Sequence, residues 1–188
     1  VDAGATVLDV NVGAPLVDET QLLPELVQRL VGRLPMPLSI DSSNATAIAN
    51  ALPYCPGSFL VNSISGESGR MEQLGPLCRD FGAPFILLPL QGAHLPEKAA
   101  ERIATVESLI EKAEAMGISR RLMMVDILAL VVSSSADSAL QCLEMTRWCA
   151  ANGLPTTLGL SNLSFGLPAR ELLNATFLSL AAGAGLTS

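Results

Sequence analysis

Six short apolar runs, each followed by a longer segment with helical spacing, constrain this chain more than any other feature. Thr6–Val12, Pro37–Ile40, Phe59–Ile64, Pro84–Leu90, Leu122–Leu128 and Thr156–Leu160 read as strands. The segments after them read as helices: Glu19–Leu34, Asn44–Leu52, Met71–Phe81, Ala99–Met116, Ser138–Asn152, and Pro168 or Ala169 to Ala184. In the first of these, Leu22, Leu23, Leu26, Val27, Leu30 and Val31 recur at helical spacing. Gly82, Gly117 and Gly153 stand where helices end, as favoured C′ residues do. The strands are apolar throughout rather than alternating, the pattern of parallel strands covered on both faces. Six consecutive β-α units fit a (β/α)8 TIM barrel better than a doubly wound α/β sheet. The dinucleotide signature G-x-G-x-x-G is absent after the first strand, where Gly13-Ala14-Pro15 is the nearest approach.

Length bears on the same reading. The chain has 188 residues, whereas a (β/α)8 barrel takes about 250. It opens in what reads as a helix-to-strand turn, Val1-Asp2-Ala3-Gly4-Ala5, and stops at another, Gly183-Ala184-Gly185-Leu186. The expectation is a single barrel domain over residues 1–188, incomplete at both ends and lacking the first and last β-α units.

Composition removes several classes of function. A formal charge of −7 with no Lys/Arg-dense stretch argues against nucleic-acid binding through the phosphate backbone. No apolar run approaches the ~18 residues of a membrane span, and a cytoplasmic location is expected. Cys55, Cys78, Cys142 and Cys149 form no C-x-x-C pair and read as reduced core thiols. His94, the only histidine, lies in a loop-like Gln91–Pro96 segment, so a His-based zinc site or His-driven nucleophile is not expected.

What remains is a pattern at the strand ends. The first strand yields Asp9 and Asn11, the second Asp41, Ser42 and Ser43, and the third Asn62, Ser63 and Ser65. The fifth yields Asp126, and the sixth Ser161 and Asn162. In a barrel these ends converge on the mouth where active sites lie. A single Asp or Asn there is as easily a helix cap, but recurrence at five strand ends points to a ligand. The set combines carboxylates and carboxamides, without cation, thiol or imidazole. Such groups match the donor and acceptor edges of a flat, nitrogen-rich heterocycle. Oxygen ligands of this kind also suit a metal such as Mg²⁺, although the amides interleaved with the acids favour the heterocycle.

These motifs occur together and in order: Leu8-Asp9-Val10-Asn11-Val12-Gly13, Leu38-Ser39-Ile40-Asp41-Ser42-Ser43-Asn44, Val61-Asn62-Ser63-Ile64-Ser65 and Gly159-Leu160-Ser161-Asn162-Leu163-Ser164-Phe165-Gly166-Leu167-Pro168. In this the chain resembles the pterin-binding barrels of cobalamin-dependent methyltransferases, which include the folate domain of methionine synthase and methyltetrahydrofolate:corrinoid protein methyltransferase. The resemblance covers almost the whole chain. It implies that Asp41, Asn62 and Asp126 hold the pterin ring and that Asn162 sits near N5, the methyl-bearing nitrogen. Gly159 and Ser161 would shape its loop, and Asp9 and Asn11 would support the same mouth. The related dihydropteroate synthases end with a Ser-Arg-Lys motif where this chain has Ser161-Asn162-Leu163, which argues against that activity.

The resemblance implies a catalytic pair. Asn162 stabilises N5 as its charge changes, an electrostatic effect on the transition state, and Asp126 orients the ring. 5-Methyltetrahydrofolate would be the methyl donor and the cobalt of a cobalamin the acceptor. No D-x-H-x-x-G motif is present, so the corrinoid is expected on another domain or protein. No metal site, nucleic acid or membrane partner is expected, and a homodimer is a further expectation. Three other readings stay open: a pterin- or folate-binding module without catalysis, a dihydropteroate synthase-type enzyme, and a metal-dependent lyase or aldolase barrel.

Overall fold

The computed structural model describes residues 4–55, 57, 59–92, 96–133 and 137–188. Val1, Asp2, Ala3 and the loop histidine His94 lie outside them. Among the described residues the elements alternate as the apolar runs require. They are β1 (Leu8–Asn11), α1 (Glu19–Leu30), β2 (Leu38–Asp41), α2 (Ala45–Ala51), β3 (Phe59–Ser65), α3 (Arg70–Phe81) and β4 (Phe85–Leu88). Then follow α4 (Ala99–Ala115), β5 (Met123–Asp126), α5 (Ser138–Ala151), β6 (Thr156–Thr157), α6 (Leu160–Leu163) and α7 (Arg170–Ala184). The strand order in the sheet is β1-β2-β3-β4-β5-β6, and β1–β2, β2–β3 and β5–β6 pair in parallel.

The chain folds as two compact units. One comprises Val1–Ile64, Gly69–Ile86 and Ala113–Leu122; the other comprises Ser65–Ser68, Leu87–Lys112 and Met123–Ser188. In the first unit α1 starts where Asp18 accepts the Thr20 N–H, and its apolar stripe buries Leu23 and Val27. Pro24 lies inside this helix and cannot donate to the carbonyl of Thr20 four residues earlier. The Asn50 side chain of α2 supplies that bond instead, at 3.1 Å. Asn44 caps α2 by accepting from Thr46 and Ala47 N–H. Leu23, Val27, Ile40, Ala47, Ile48, Val61 and Leu74 form the core of this unit, each with no exposed surface.

In the second unit α5 and α7 pack so closely at their ends that Gly185 is required. A β-carbon there would lie 2.6 Å from that of Ala150, and its φ of 106° is one that L side chains rarely adopt. Val106, Val125, Ile127, Cys142, Met145 and Cys149 are fully buried here. All four cysteines are free and buried. Burial pushes the Cys78 and Cys149 thiols up to about 12, so they act as small apolar groups.

Several sequence expectations need correction. β6 ends at Thr157 rather than Leu160, because the Leu160 N–H turns back onto the Leu158 carbonyl at 2.9 Å and a one-turn helix follows. Pro168 lies outside α7, which begins after Ala169 in a left-handed conformation. Continuous burial holds for Leu38–Ile40 and Phe85–Leu87, while β3 and β5 have intermediate positions between buried ones. Asn44, within the Ile-Asp-Ser-Ser-Asn run, is a cap. Its change to alanine is expected to cost about 1 kcal/mol, read as a lower urea midpoint with an unchanged slope.

Candidate functional site

In the first unit, parallel register sets three polar residues in one row. Asn11 of β1 pairs with Asp41 of β2, which pairs with Asn62 of β3. Equivalent residues on neighbouring parallel strands project from the same face, so the row is a consequence of register. The Asn11 carboxamide is held at both ends: its oxygen accepts the Gly13 N–H at 2.7 Å, and its NH₂ donates to Asp41 Oδ2 at 2.8 Å. Asn62 donates to Asp9 Oδ1 at 3.3 Å. Thus Asp9, Asn11, Asp41 and Asn62, all anticipated from sequence, form two linked carboxylate–carboxamide pairs. None of them caps a helix; Asp18 and Asn44 do that instead.

Burial raises the Asp41 carboxyl above its ordinary value of 3.8, opposed by the Asn11 hydrogen bond; Asp9 adds to the rise through its charge and a hydrogen bond, and the Arg70 charge lowers it. Arg70, at the start of α3, is only 8% exposed. It donates to three carbonyls: Ser63 at 2.8 Å, Ser43 at 2.6 Å and Ser42 at 2.7 Å. The Ser42 hydroxyl donates to Glu19 and accepts the Asn44 N–H at 2.9 Å. The strand-end set itself carries no cation, but a guanidinium from α3 bonds to the backbone beside Asp41 and Asn62.

In the second unit Asp126 ends β5 and accepts the Leu128 N–H at 2.7 Å. Leu128 holds a left-handed φ of 57°, a conformation that costs a branched residue free energy and clusters at functional sites. Arg102 is fully buried and donates to the carbonyls of Ile127 (3.1 Å), Pro96 (3.0 Å) and Glu97 (3.2 Å). Burial raises the Asp126 carboxyl, while the Leu128 N–H and the Arg102 charge counter the rise.

Asn162 and Ser161 lie within the one-turn α6 and are exposed. Gly159 precedes them, and a β-carbon there would lie 2.9 Å from Nδ2 at the tip of the exposed Asn162 side chain, which would have to turn aside. The Leu163 carbonyl accepts the Val132 N–H at 3.0 Å, tying α6 to the segment that follows Asp126. Arg170 reaches back from α7 to donate to the Ser161 carbonyl at 2.8 Å and Ser164 Oγ at 3.1 Å, with its guanidinium 5.9 Å from the centre of the Phe165 ring. The local sequence after Asn162 lacks a cation, but the fold supplies one.

A cleft elsewhere in the first unit is lined by residues such as Leu30, Met36, Leu38, Cys55 and Phe59. It holds none of the strand-end polar groups. Among the described residues no three His, Cys, Asp or Glu side chains are grouped to hold a metal ion, and no helix is long and apolar enough to cross a membrane.

Comparison with known proteins gives this geometry a context. A family model described as pterin binding enzyme matches residues 1–188. A methylcorrinoid:tetrahydrofolate methyltransferase of Eubacterium limosum is 30% identical over 192 residues, covering 100% of this chain and 70% of that protein. A methionine synthase of Mycobacterium tuberculosis is 27% identical over 199 residues, covering 98% of this chain but 17% of its own length. Among solved structures, a Xanthomonas albilineans dihydropteroate synthase in complex with 7,8-dihydropteroate superposes with a TM-score of 0.75 at 23% identity, covering 98% of this chain and 72% of that one. A Yersinia pestis DHPS with a pterine-sulfa conjugate gives 0.74 at 23%, covering 98% and 76%. At that identity the likeness shows the fold.

The raised Asp126 carboxyl has a consequence for stability. Its folded form favours the proton more than the unfolded form, so its contribution to stability is greatest below about pH 4 and declines as pH rises through the raised value. Asp126→Asn keeps an oxygen for the Leu128 N–H and removes the buried charge. It is expected to raise the melting temperature at pH 7 by a few degrees, the gain shrinking as pH falls towards 4. A pH-independent difference in calorimetric melting would contradict this.

Proposed function

Because this chain belongs to the pterin-binding enzyme family and is related to methyltransferases, we propose that it binds a reduced folate and serves methyl transfer between N5 of the pterin and the cobalt of a corrinoid. The corrinoid would be carried by another domain or protein. The observation that carries the reading is the row of Asn11, Asp41 and Asn62, with Asp9 bonded to Asn62. Carboxylates accept from ring N–H and exocyclic amino groups, and carboxamides pair with a mixed edge. The same groups would suit a phosphate or an anionic substrate poorly, since acids outnumber bases among them. The sequence relatives named above are methyltransferases, whereas the likeness to dihydropteroate synthases is one of fold.

In this reading Asp41, Asn62 and Asp126 bind the pterin, Asn11 and Asp9 fix the first two, and Gly159 and Ser161 shape the turn that presents Asn162. Asn162 acts at N5. When the methyl leaves N5 for cobalt, the electron pair of the N–C bond stays on nitrogen, and two electrons from the reduced cobalt form the new bond to carbon. N5 is a poor leaving group unless a proton or a hydrogen-bond donor meets the developing charge. The exposed Asn162 carboxamide can donate that bond and cannot supply a proton of suitable acidity, so the proton comes from elsewhere. The name of the Eubacterium limosum relative gives the methylcorrinoid as donor. The same stabilisation of N5 serves either direction, since both pass through one transition state.

The test is to mix the chain with 5-methyltetrahydrofolate and reduced cobalamin and follow the cobalt spectrum, beside calorimetric titration of the folate. Binding with methylation of cobalt is expected. Removing a transition-state donor costs about 10²–10³-fold in rate, so Asn162→Ala should lose roughly that in transfer while its folate affinity changes little. Equal losses in both would reduce Asn162 to a binding residue. Binding without any cobalt methylation would instead support a non-catalytic folate module.

A further inference from the structure

A buried guanidinium grips the backbone next to the polar row of the first unit. Arg70 belongs to the first turn of α3, yet its three donor nitrogens are spent on other elements. Nη2 and Nη1 bond to the carbonyls of Ser42 and Ser43, the two residues that follow Asp41. Nε bonds to the carbonyl of Ser63, the residue after Asn62. The Ser42 N–H bonds in turn to the Asn62 carbonyl at 3.3 Å. The chain leaves β2 just after Asp41, so its carbonyls there are no longer held by a full ladder. A planar fork with fixed donor directions can join three such carbonyls at once; a lysine, a point charge on a flexible stem, cannot.

We propose that Arg70 is a positioning residue for pterin binding: by tying the backbone after Asp41 to the backbone after Asn62, it holds these two side chains in one row at the ligand edge. The inference rests on the pterin reading given above. Two features separate it from a simple packing role. First, the carbonyls it grips directly follow the two proposed binding residues. Second, its charge acts on Asp41, whose carboxyl accepts from a pterin N–H more strongly when ionised. The other groups facing Asp41 are the Asp9 carboxylate and the Asn11 amide from β1. Glu19 of α1 reaches the neighbouring Ser42 hydroxyl.

Position and charge can be tested apart with Arg70→Lys and Arg70→Gln, each checked for folding by circular-dichroism melting. Affinity for 5-methyltetrahydrofolate is then measured by titration from pH 4 to 8. A hydrogen bond to a charged group is worth roughly a factor of ten or more, so both variants should bind at least about tenfold more weakly at pH 7. Wild-type affinity should fall as pH drops through the Asp41 range. Loss of the positive charge raises the Asp41 carboxyl further, so in Arg70→Gln this acid limb should move to higher pH, while Arg70→Lys should keep it near the wild-type position. Folded variants with wild-type affinity, or an Arg70→Gln limb that does not move, overturn the proposal. If the Gln variant does not fold, the Lys variant decides by its affinity. A wild-type chain that binds no 5-methyltetrahydrofolate defeats the pterin reading itself, an outcome distinct from equal binding by wild type and variants.

Discussion

Where a chain leaves a parallel strand it stops being part of the hydrogen-bonded ladder, and the last carbonyls need new partners. Left buried and unpaired, each would cost about 1–3 kcal/mol. Here two buried arginines meet that need. Arg70 takes the carbonyls of Ser42 and Ser43, just past β2, and that of Ser63 near the end of β3. Arg102 takes that of Ile127, just past β5, together with those of Pro96 and Glu97 ahead of α4. Each guanidinium also lies near a strand-end aspartate and favours its ionised form, Asp41 in one unit and Asp126 in the other. The turns that carry the candidate site are thus built around charge that the core must enclose.

This arrangement makes the candidate site costly to keep. Both aspartates are raised by burial, Leu128 beside Asp126 holds a left-handed backbone, and so does Ala169 before α7. None of these features serves folding as well as an ordinary residue in the same place would. Within the second unit, Leu128 follows Asp126 past the end of β5 and Ala169 precedes α7, and left-handed positions of this kind cluster at sites shaped for a ligand. The carboxamides play a complementary part. Asn11, anchored by Gly13 and Asp41 together, fixes the carboxylate that it touches.

Much of this was legible along the chain. The alternation of short apolar runs with helical spacing gave the element order, since buried strands and amphipathic helices leave periods that survive without tertiary context. The same holds for Asp9, Asn11, Asp41 and Asn62, polar residues set within or just after apolar runs. Asn44 was less legible, because a cap and a ligand residue look alike until the Thr46 and Ala47 N–H groups are seen bonding to it. β6 was overdrawn because Leu158 and Leu160 continue its apolar pattern while the backbone already turns. The arginines were missed altogether. Nothing in the spacing of Arg70, Arg102 or Arg170 marks them, since each bonds mainly to backbone carbonyls.

By itself, the sequence determined the α/β class, the order of the elements and the candidate polar residues after five of the apolar runs, because hydrophobic period and residue type are local properties. Only the tertiary structure decided that Asn11, Asp41 and Asn62 share one level, since register depends on how strands pair. It alone brought Arg70 onto the Ser42 carbonyl next to Asp41 and folded Arg170 back onto the Ser161 carbonyl. The Ser161-Asn162 turn lacks a cation in its own sequence and has one in space. A guanidinium reaches across several residues to bond a backbone oxygen, and backbone oxygens are the same at every position in a sequence.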